Sequence, residues 1–137
     1  AAIPAIKAGG KGGHIVLISS VTYNMTTPYA AYYAASKAFV SSIGNALRLE
    51  LEADNIGVTT MVVGRTNTKF NESRLGGERQ TGGGVPTMKP EEVAEGILRG
   101  VDGNKPQVYL RPFDRLLVWA NILVPNFVGR RALKQYK

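Results

Sequence analysis

The chain alternates short strand-like runs with helical segments, and this order constrains its fold more than any other feature. Residues 14–19 form a continuous apolar run and residues 58–63 a β-branched one, as is typical of parallel strands buried on both faces. Residues 32–54 between them repeat apolar side chains at helical spacing. A second helical segment over 90–101 leads to a third short strand at 107–110. Strands that alternate with helices predict an α/β fold with a parallel sheet and right-handed crossovers.

Ser20, Tyr33 and Lys37 bring a hydroxyl, a phenol and an ammonium to a spacing that suits proton transfer. Ser20 ends the first strand-like run, at the strand end where open parallel sheets bind their ligands. Lys37 follows Tyr33 by four residues, so both side chains project from the same face of a helix. A free phenol has a pKa of about 10 and is a poor base, but a nearby ammonium favours the phenolate. The pattern predicts that Ser20 donates a hydrogen bond to a substrate oxygen while Tyr33 acts as general acid or base.

The segments around these residues resemble the short-chain dehydrogenase/reductase family over about residues 1–110. The resemblance rests on ISS at the strand end, on YAASK, on the helix that runs to LRLELEADNIGV, and on TMVVGRTNT. The glycines of residues 9–13 precede a strand rather than a helix, so they cannot form the glycine turn of a dinucleotide-binding unit. We therefore expect residues 1–110 to be the C-terminal half of a doubly wound, Rossmann-like domain that lacks its N-terminal nucleotide-binding half. Three parallel strands with flanking helices would make up this half, and residues 111–137 would form a basic amphipathic helical tail.

The resemblance implies which residues hold a nicotinamide cofactor, NAD or NADP. Lys37 would bind the ribose hydroxyls of the nicotinamide nucleotide beside Tyr33. Residues 62–68 resemble the family's Pro-Gly-x-Val/Ile-x-Thr segment. Within it, Gly64 would allow the backbone to approach the nicotinamide, Thr66 would offer backbone groups to the carboxamide, and Thr68 would reach a phosphate.

A substrate pocket is expected beside Ser20. Residues 67–88 are long and glycine-rich and correspond to the substrate lid of the enzymes that the chain resembles. Tyr23, Met25 and Phe70 would line a pocket of mixed polarity, which favours a carbonyl compound or secondary alcohol with a hydrophobic body. Together these features predict an NAD(P)-dependent oxidoreductase that interconverts a carbonyl and a secondary alcohol by hydride transfer.

The isolated chain of 137 residues is expected to be inactive, because hydride transfer needs a cofactor held in place and the adenosine and pyrophosphate sites are absent. The alternative is a truncated, non-catalytic relative that acts through dimerisation or association with a membrane surface. The family often associates through the helix predicted at 32–54, so a homo-oligomer through this helix is expected. The choice between NAD and NADP depends on residues of the absent half.

Composition excludes several other functions. The chain has no cysteine and one histidine, which excludes disulfides, thiolate metal sites and multi-histidine metal sites. His14 enters the first strand at the end far from Ser20, so we interpret it as a strand-end residue rather than a catalytic base. No nucleic-acid-binding module is recognisable. We expect a cytoplasmic protein, membrane-peripheral if its tail contacts lipid.

The positive charge is concentrated in the tail, since residues 105–137 contain seven Lys or Arg and one Asp or Glu. Its apolar run of about ten residues is too short to cross a bilayer, which needs about 20, and two helices broken at Pro125 are predicted. One interpretation has these helices packing over the substrate site or a subunit interface. The other places them on a membrane surface. That contact would use Leu117 and Trp119 in the apolar layer and Arg130, Arg131 and Lys134 at the headgroups.

Overall fold

A three-stranded parallel sheet organises the chain, as the sequence predicts. The computed structural model describes residues 2–68 and 87–136. Strands β1 (Gly13–Ser20), β2 (Ile56–Val63) and β3 (Gln107–Tyr109) lie in the order β1-β2-β3. Their register brings the carboxyl ends of β1 and β2 together, with Ser20 opposite Val63. Among the described residues no strand pairs with the outer edge of β1.

The two long strands differ in burial, and the prediction that β1 is buried on both faces is wrong. Most of the central strand β2 is buried, with Val58, Met61 and Val62 at most 1% exposed. Residues 14–17 of β1 are only half-buried and Ile18 is 44% exposed. The difference follows from position, because β1 is an edge strand of the described sheet while β2 has a neighbour on each side.

Helix α2 (Ala31–Glu50) lies against both β1 and β2 and carries two of the predicted catalytic residues. Its buried Gly44 lets the helix approach the sheet closely, because a Cβ at this position would collide with Oγ1 of Thr60 on β2. Helix α1 (Ala2–Ala8) precedes β1. Helix α3 (Pro90–Asp102) completes the crossover from β2 to β3. These contacts fix the first turns of α2 beside the end of β1.

The predicted break at Pro125 is confirmed, with α4 (Pro112–Leu123) and α5 (Pro125–Leu133) on either side of it. Pro125 is the first residue of α5, where its fixed φ and missing N–H are tolerated. Helix α4 contacts the 3₁₀ turn Val21–Asn24 that follows β1. None of the helices over 2–68 and 87–136 is long and apolar enough to cross a membrane.

One hydrophobic cluster lies at the amino-terminal side of the sheet. Its buried members are Leu51, Ile56 and Val58. Partly buried residues pack against them, namely Ile3, Ile6, Ile15, Leu17 and Leu47. The carboxyl end of the sheet carries instead most of the polar contacts described next.

Candidate active site

Ser20 is the last residue of β1 and is 7% exposed. It caps the 3₁₀ turn Val21–Asn24, because its Oγ accepts the N–H of Thr22 at 3.3 Å. This bond uses a lone pair of the hydroxyl oxygen, so the Ser20 O–H keeps its capacity to donate.

The neighbouring Ser19 joins the strand to the helix and was not singled out by the sequence. Its side chain points to the opposite face of β1 from that of Ser20, since side chains alternate along a strand. Ser19 Oγ donates to the carbonyl oxygen of Lys37 at 3.0 Å and lies 2.7 Å from Ser41 Oγ. Because Ser19 and Ser41 are both buried, this pair of contacts sets the depth at which α2 packs on β1.

Tyr33 and Lys37 lie on the first two turns of α2, next to the end of β1. The Lys37 Nζ atom lies 5.6 Å from the centroid of the Tyr33 ring, within the range of a cation–π contact. The same ammonium donates to the carbonyl oxygen of Ile18 at 3.0 Å. Lys37 thus contacts both the Tyr33 ring and the β1 backbone at Ile18, two residues before Ser20 at the carboxyl end of the strand.

The carbonyl that Lys37 binds lies on the unpaired edge of β1. The N–H of Gly13 bonds the carbonyl oxygen of Asn55 beside β2, and backbone groups of a strand alternate in direction from one residue to the next. The Ile18 carbonyl, five residues after Gly13, therefore points away from β2. Lys37 covers a backbone acceptor that a further strand at this edge would otherwise use.

The predicted pocket residue Tyr23 lies on the 3₁₀ turn after Ser20. Its hydroxyl is 2.9 Å from that of Tyr109, the last residue of β3. Burial, followed by the hydrogen bond with Tyr23, raises the pKa of the Tyr109 phenol. Tyr109 thus stays protonated and is unsuited to act as a base. Met25 ends the turn, and its N–H donates to the Thr22 carbonyl.

Asn121 of α4 holds the loop that carries Tyr23 and Met25. Its Nδ2 donates to the carbonyl oxygen of Asn24 at 2.7 Å, and its Oδ1 accepts the N–H of Thr26 at 3.1 Å. The Asn121 side chain is buried at 7% exposure, whereas Thr26 is exposed, so both hydrogen bonds are part-buried. The tail therefore packs against the loop that follows Ser20.

The segment after β2 holds the remaining predicted cofactor residues. Gly64 lies against an ion pair in which Arg111 donates to Asp114 through Nε at 2.9 Å and Nη2 at 2.7 Å. A Cβ on Gly64 would meet Asp114 Oδ1 at 2.6 Å. In this structure the room beside Gly64 is thus occupied by the ion pair. Thr66 bridges to Met88, and its hydroxyl donates to the Gly64 carbonyl at 3.3 Å.

The Arg111–Asp114 ion pair is part-buried beside Gly64 and orders this part of the candidate site. Asp114 is 1% exposed, and its hydrogen bonds raise the pKa of the Arg111 guanidinium. Two bonds between a guanidinium and a carboxylate fix the orientation of both groups. Thr68 is exposed, and Phe70 lies outside the described residues.

Sequence reasoning missed four residues of this site, namely Tyr109, Arg111, Asp114 and Asn121. Two of them carry a signal in the chain itself. Asn121 interrupts an apolar helical run, and Asp114 is the one acidic residue of a basic tail. Polar side chains at such positions are typically buried and hydrogen-bonded.

The amino-terminal end of the sheet carries different chemistry. His14 is the second residue of β1 and Ser20 the last, so the two lie at opposite ends of the strand. His14 Nε2 lies 2.8 Å from Thr59 Oγ1. Burial and then the charge of Arg48 lower the His14 pKa. Over residues 2–68 and 87–136 no group of three or more acidic or histidine side chains is placed to hold a metal.

Comparison with known proteins places the chain among oxidoreductases. The model of the short chain dehydrogenase family matches residues 1–78. Over 135 residues the chain is 32% identical to a dehydrogenase/reductase SDR family protein 7-like from Anopheles gambiae, an alignment that covers 92% of the chain and 41% of that protein. The chain thus spans about two fifths of the length of the curated relatives it matches.

Solved structures share the fold. The apo form of LigD from a Sphingobium strain is 27% identical with a TM-score of 0.68, covering 88% of this chain and 43% of that one. A short chain dehydrogenase from Burkholderia cenocepacia, solved in complex with NADP, has a TM-score of 0.73 at 21% identity. That alignment covers 95% of this chain and 52% of the other, and it extends the likeness through the C-terminal helices.

Proposed function

Because this chain belongs to the short-chain dehydrogenase/reductase family, we propose that it forms the catalytic half of an NAD(P)-dependent oxidoreductase. The reaction interconverts a carbonyl and a secondary alcohol. The observation that supports the proposal is that Lys37 contacts both the Tyr33 ring and the Ile18 carbonyl, two residues before Ser20 at the end of β1. Ligands of open parallel sheets bind at this end of the strands.

Each of the three side chains has a distinct role in this proposal. Ser20 donates its O–H to the carbonyl oxygen, because the Thr22 N–H occupies one of the two lone pairs of the hydroxyl and does not use its proton. Tyr33 gives its phenolic proton to the same oxygen during reduction and takes it back during oxidation. The Lys37 ammonium beside the Tyr33 ring stabilises the phenolate that remains after proton transfer.

The residues present suit the nicotinamide end of the cofactor, namely the nicotinamide ring and its ribose. The Lys37 ammonium supplies donors for ribose hydroxyls, and the backbone around Gly64 and Thr66 lies at the same edge of the sheet. Thr68 follows on the same segment and would meet a phosphate. The connection from β1 to α2, residues 21–30, contains no glycine and offers no pyrophosphate turn. When bound, the cofactor supplies or accepts the hydride.

The substrate in this proposal is a carbonyl compound or secondary alcohol with a hydrophobic body. Tyr23 and Met25 follow Ser20 on the loop that Asn121 holds, so they flank the reacting oxygen. Phe70, the third predicted pocket residue, lies outside the described residues. The bond between Tyr23 and Tyr109 adds one polar position to a mostly apolar lining.

Tyr33→Phe in the complete protein tests the assignment, with Tyr32→Phe as the matched control. Tyr32 is the adjacent residue and is 95% exposed. Turnover is followed by NAD(P)H absorbance with a panel of ketones, and cofactor affinity by NAD(P)H fluorescence. We expect Tyr33→Phe to lower turnover by about 10²-fold or more with nearly unchanged cofactor binding, and Tyr32→Phe to change neither. Equal losses in the two variants, or a parallel loss of cofactor binding, would refute the role of Tyr33.

Exposed apolar side chains on α2 support a homo-oligomer as part of the proposal. Phe39 is 66% exposed and Leu49 is 75% exposed on this helix, and such residues are often covered by a partner. Phe39→Ser should lower the molar mass measured by light scattering. An unchanged mass would exclude association through this face of α2.

A further inference from the structure

The outward face of α4 and α5 is apolar although the inward face is already buried. We call Leu116, Trp119, Leu123 and Phe127 the tail face. Their exposed fractions are 66%, 54%, 75% and 67%. Three of them recur at helical spacing on α4 and the fourth lies on α5. Large side chains that cluster in this way typically mark an interaction surface.

The charges around the tail face have one sign. Arg115, Arg130, Arg131 and Lys134 are all exposed. The one acidic residue of 105–137 is Asp114, and it is buried in the ion pair with Arg111. The exposed ionic groups of the tail are therefore cations, which is the complement of an anionic surface.

We propose that the tail face docks on an anionic membrane surface, a role beyond the proposed oxidoreductase activity. Leu116, Trp119, Leu123 and Phe127 enter the boundary between headgroups and acyl chains. The surrounding Arg and Lys side chains bind lipid phosphates. Helices with one apolar face and one cationic margin bind the membrane interface by this combination of burial and charge.

Helix length and charge favour binding along a membrane surface over crossing the bilayer or pairing with a second copy of the chain. With 12 residues, α4 is about 18 Å long, whereas crossing a bilayer takes about 30 Å, so the helix lies along the surface. A second copy would have to place the same patch against itself, as in an isologous dimer. That arrangement would bring Arg130 and Arg131 of one copy near like charges of the other.

Docking would also place the substrate loop near the lipid. Asn121 on the inward face of α4 holds Asn24 and Thr26, while the outward face of the same helix carries Trp119 and Leu123. A helix is about 10–12 Å wide including its side chains. The loop after Ser20 is thus separated from the docked surface by the width of this one helix.

The test uses the 137-residue chain and vesicles of phosphatidylcholine with or without phosphatidylserine. Trp119 is the one tryptophan of the chain and is 54% exposed, so its emission should shift to the blue when anionic vesicles are added. Co-sedimentation gives the partition coefficient, and high salt should weaken it. No blue shift and no co-sedimentation with anionic vesicles would overturn the proposal.

Paired variants separate docking from a general effect of charge. Arg130→Glu with Arg131→Glu should lower partitioning by about 30-fold or more, as expected for two cations near an anionic surface. Lys11→Glu with Arg99→Glu gives the same net charge at exposed positions outside the tail and should have a much smaller effect. Equal effects of the two pairs would overturn the proposal.

A second pair tests the apolar contact. Leu123→Ser should lower partitioning, whereas Leu98→Ser, at a 64% exposed position of α3, should leave it unchanged. Because both residues are exposed, both variants should keep the circular dichroism spectrum of the parent. If Leu123→Ser changes the oligomeric state instead, a second copy covers the face. If the variant has no effect in the complete polypeptide, another segment covers it. Either result would overturn the proposal.

Discussion

Replacing Asn121 with leucine should release the substrate loop from α4. The two side chains have similar length, and the buried position tolerates an apolar residue. The replacement removes the donor to the Asn24 carbonyl at 2.7 Å and the acceptor of the Thr26 N–H at 3.1 Å. Both backbone groups then lose a partner that is 7% exposed.

The expected loss of stability follows from these two bonds. Each buried backbone group left without a partner costs about 1–3 kcal/mol. Burial of the leucine side chain offsets about 2 kcal/mol, and its better helix propensity about 0.5 kcal/mol. The two losses exceed the offsets by about 1.5 kcal/mol in the middle of these ranges, so we expect Asn121→Leu to lower the free energy of unfolding by about 1.5 kcal/mol.

Urea unfolding measures the stability, and amide hydrogen exchange locates the change. Exchange at Thr26 should accelerate because its N–H loses the Asn121 acceptor. Asn126→Leu is the control, since Asn126 is exposed on α5 and should change stability by less than about 0.5 kcal/mol. If Asn121→Leu leaves both the unfolding midpoint and the Thr26 exchange rate unchanged, the two hydrogen bonds do not hold the loop.

Three further changes test other buried polar groups. Asp114→Asn should lower stability by about 3 kcal/mol, because the Arg111 guanidinium loses its charged partner in a buried site, and chemical denaturation would measure this loss. Thr60→Val should raise the melting temperature, since the buried Thr60 hydroxyl has no hydrogen-bond partner among the described residues; a lower value would show that the hydroxyl is satisfied. The lowered His14 pKa means that the unfolded state binds more protons, so stability should fall as pH drops below about 6.5. His14→Gln should abolish that part of the pH dependence in denaturation curves, and an unchanged curve would contradict it.

The local pattern of the chain predicted the α/β class, the two long strands, and the long helix at nearly its observed bounds. The same pattern placed Ser20 at a strand end and put Tyr33 four residues before Lys37 on a helix. These features are encoded by periodicity and by residues that are neighbours in the chain. A spacing of four residues has nearly the same geometry in every helix. The proximity of Tyr33 and Lys37 can therefore be predicted without knowledge of the rest of the fold.

Tertiary structure decided which distant residues complete the site and how deeply each element is buried. The contacts of Asn121 with Thr26 and Asn24 join positions 95 and 97 residues apart, and that of Tyr23 with Tyr109 joins positions 86 apart. The periodicity of apolar residues along the chain does not specify such long-range pairs. The partial exposure of β1 is likewise a property of its place at the sheet edge rather than of its apolar sequence. Burial depends on what packs against a residue, and that is set only when the whole chain has folded.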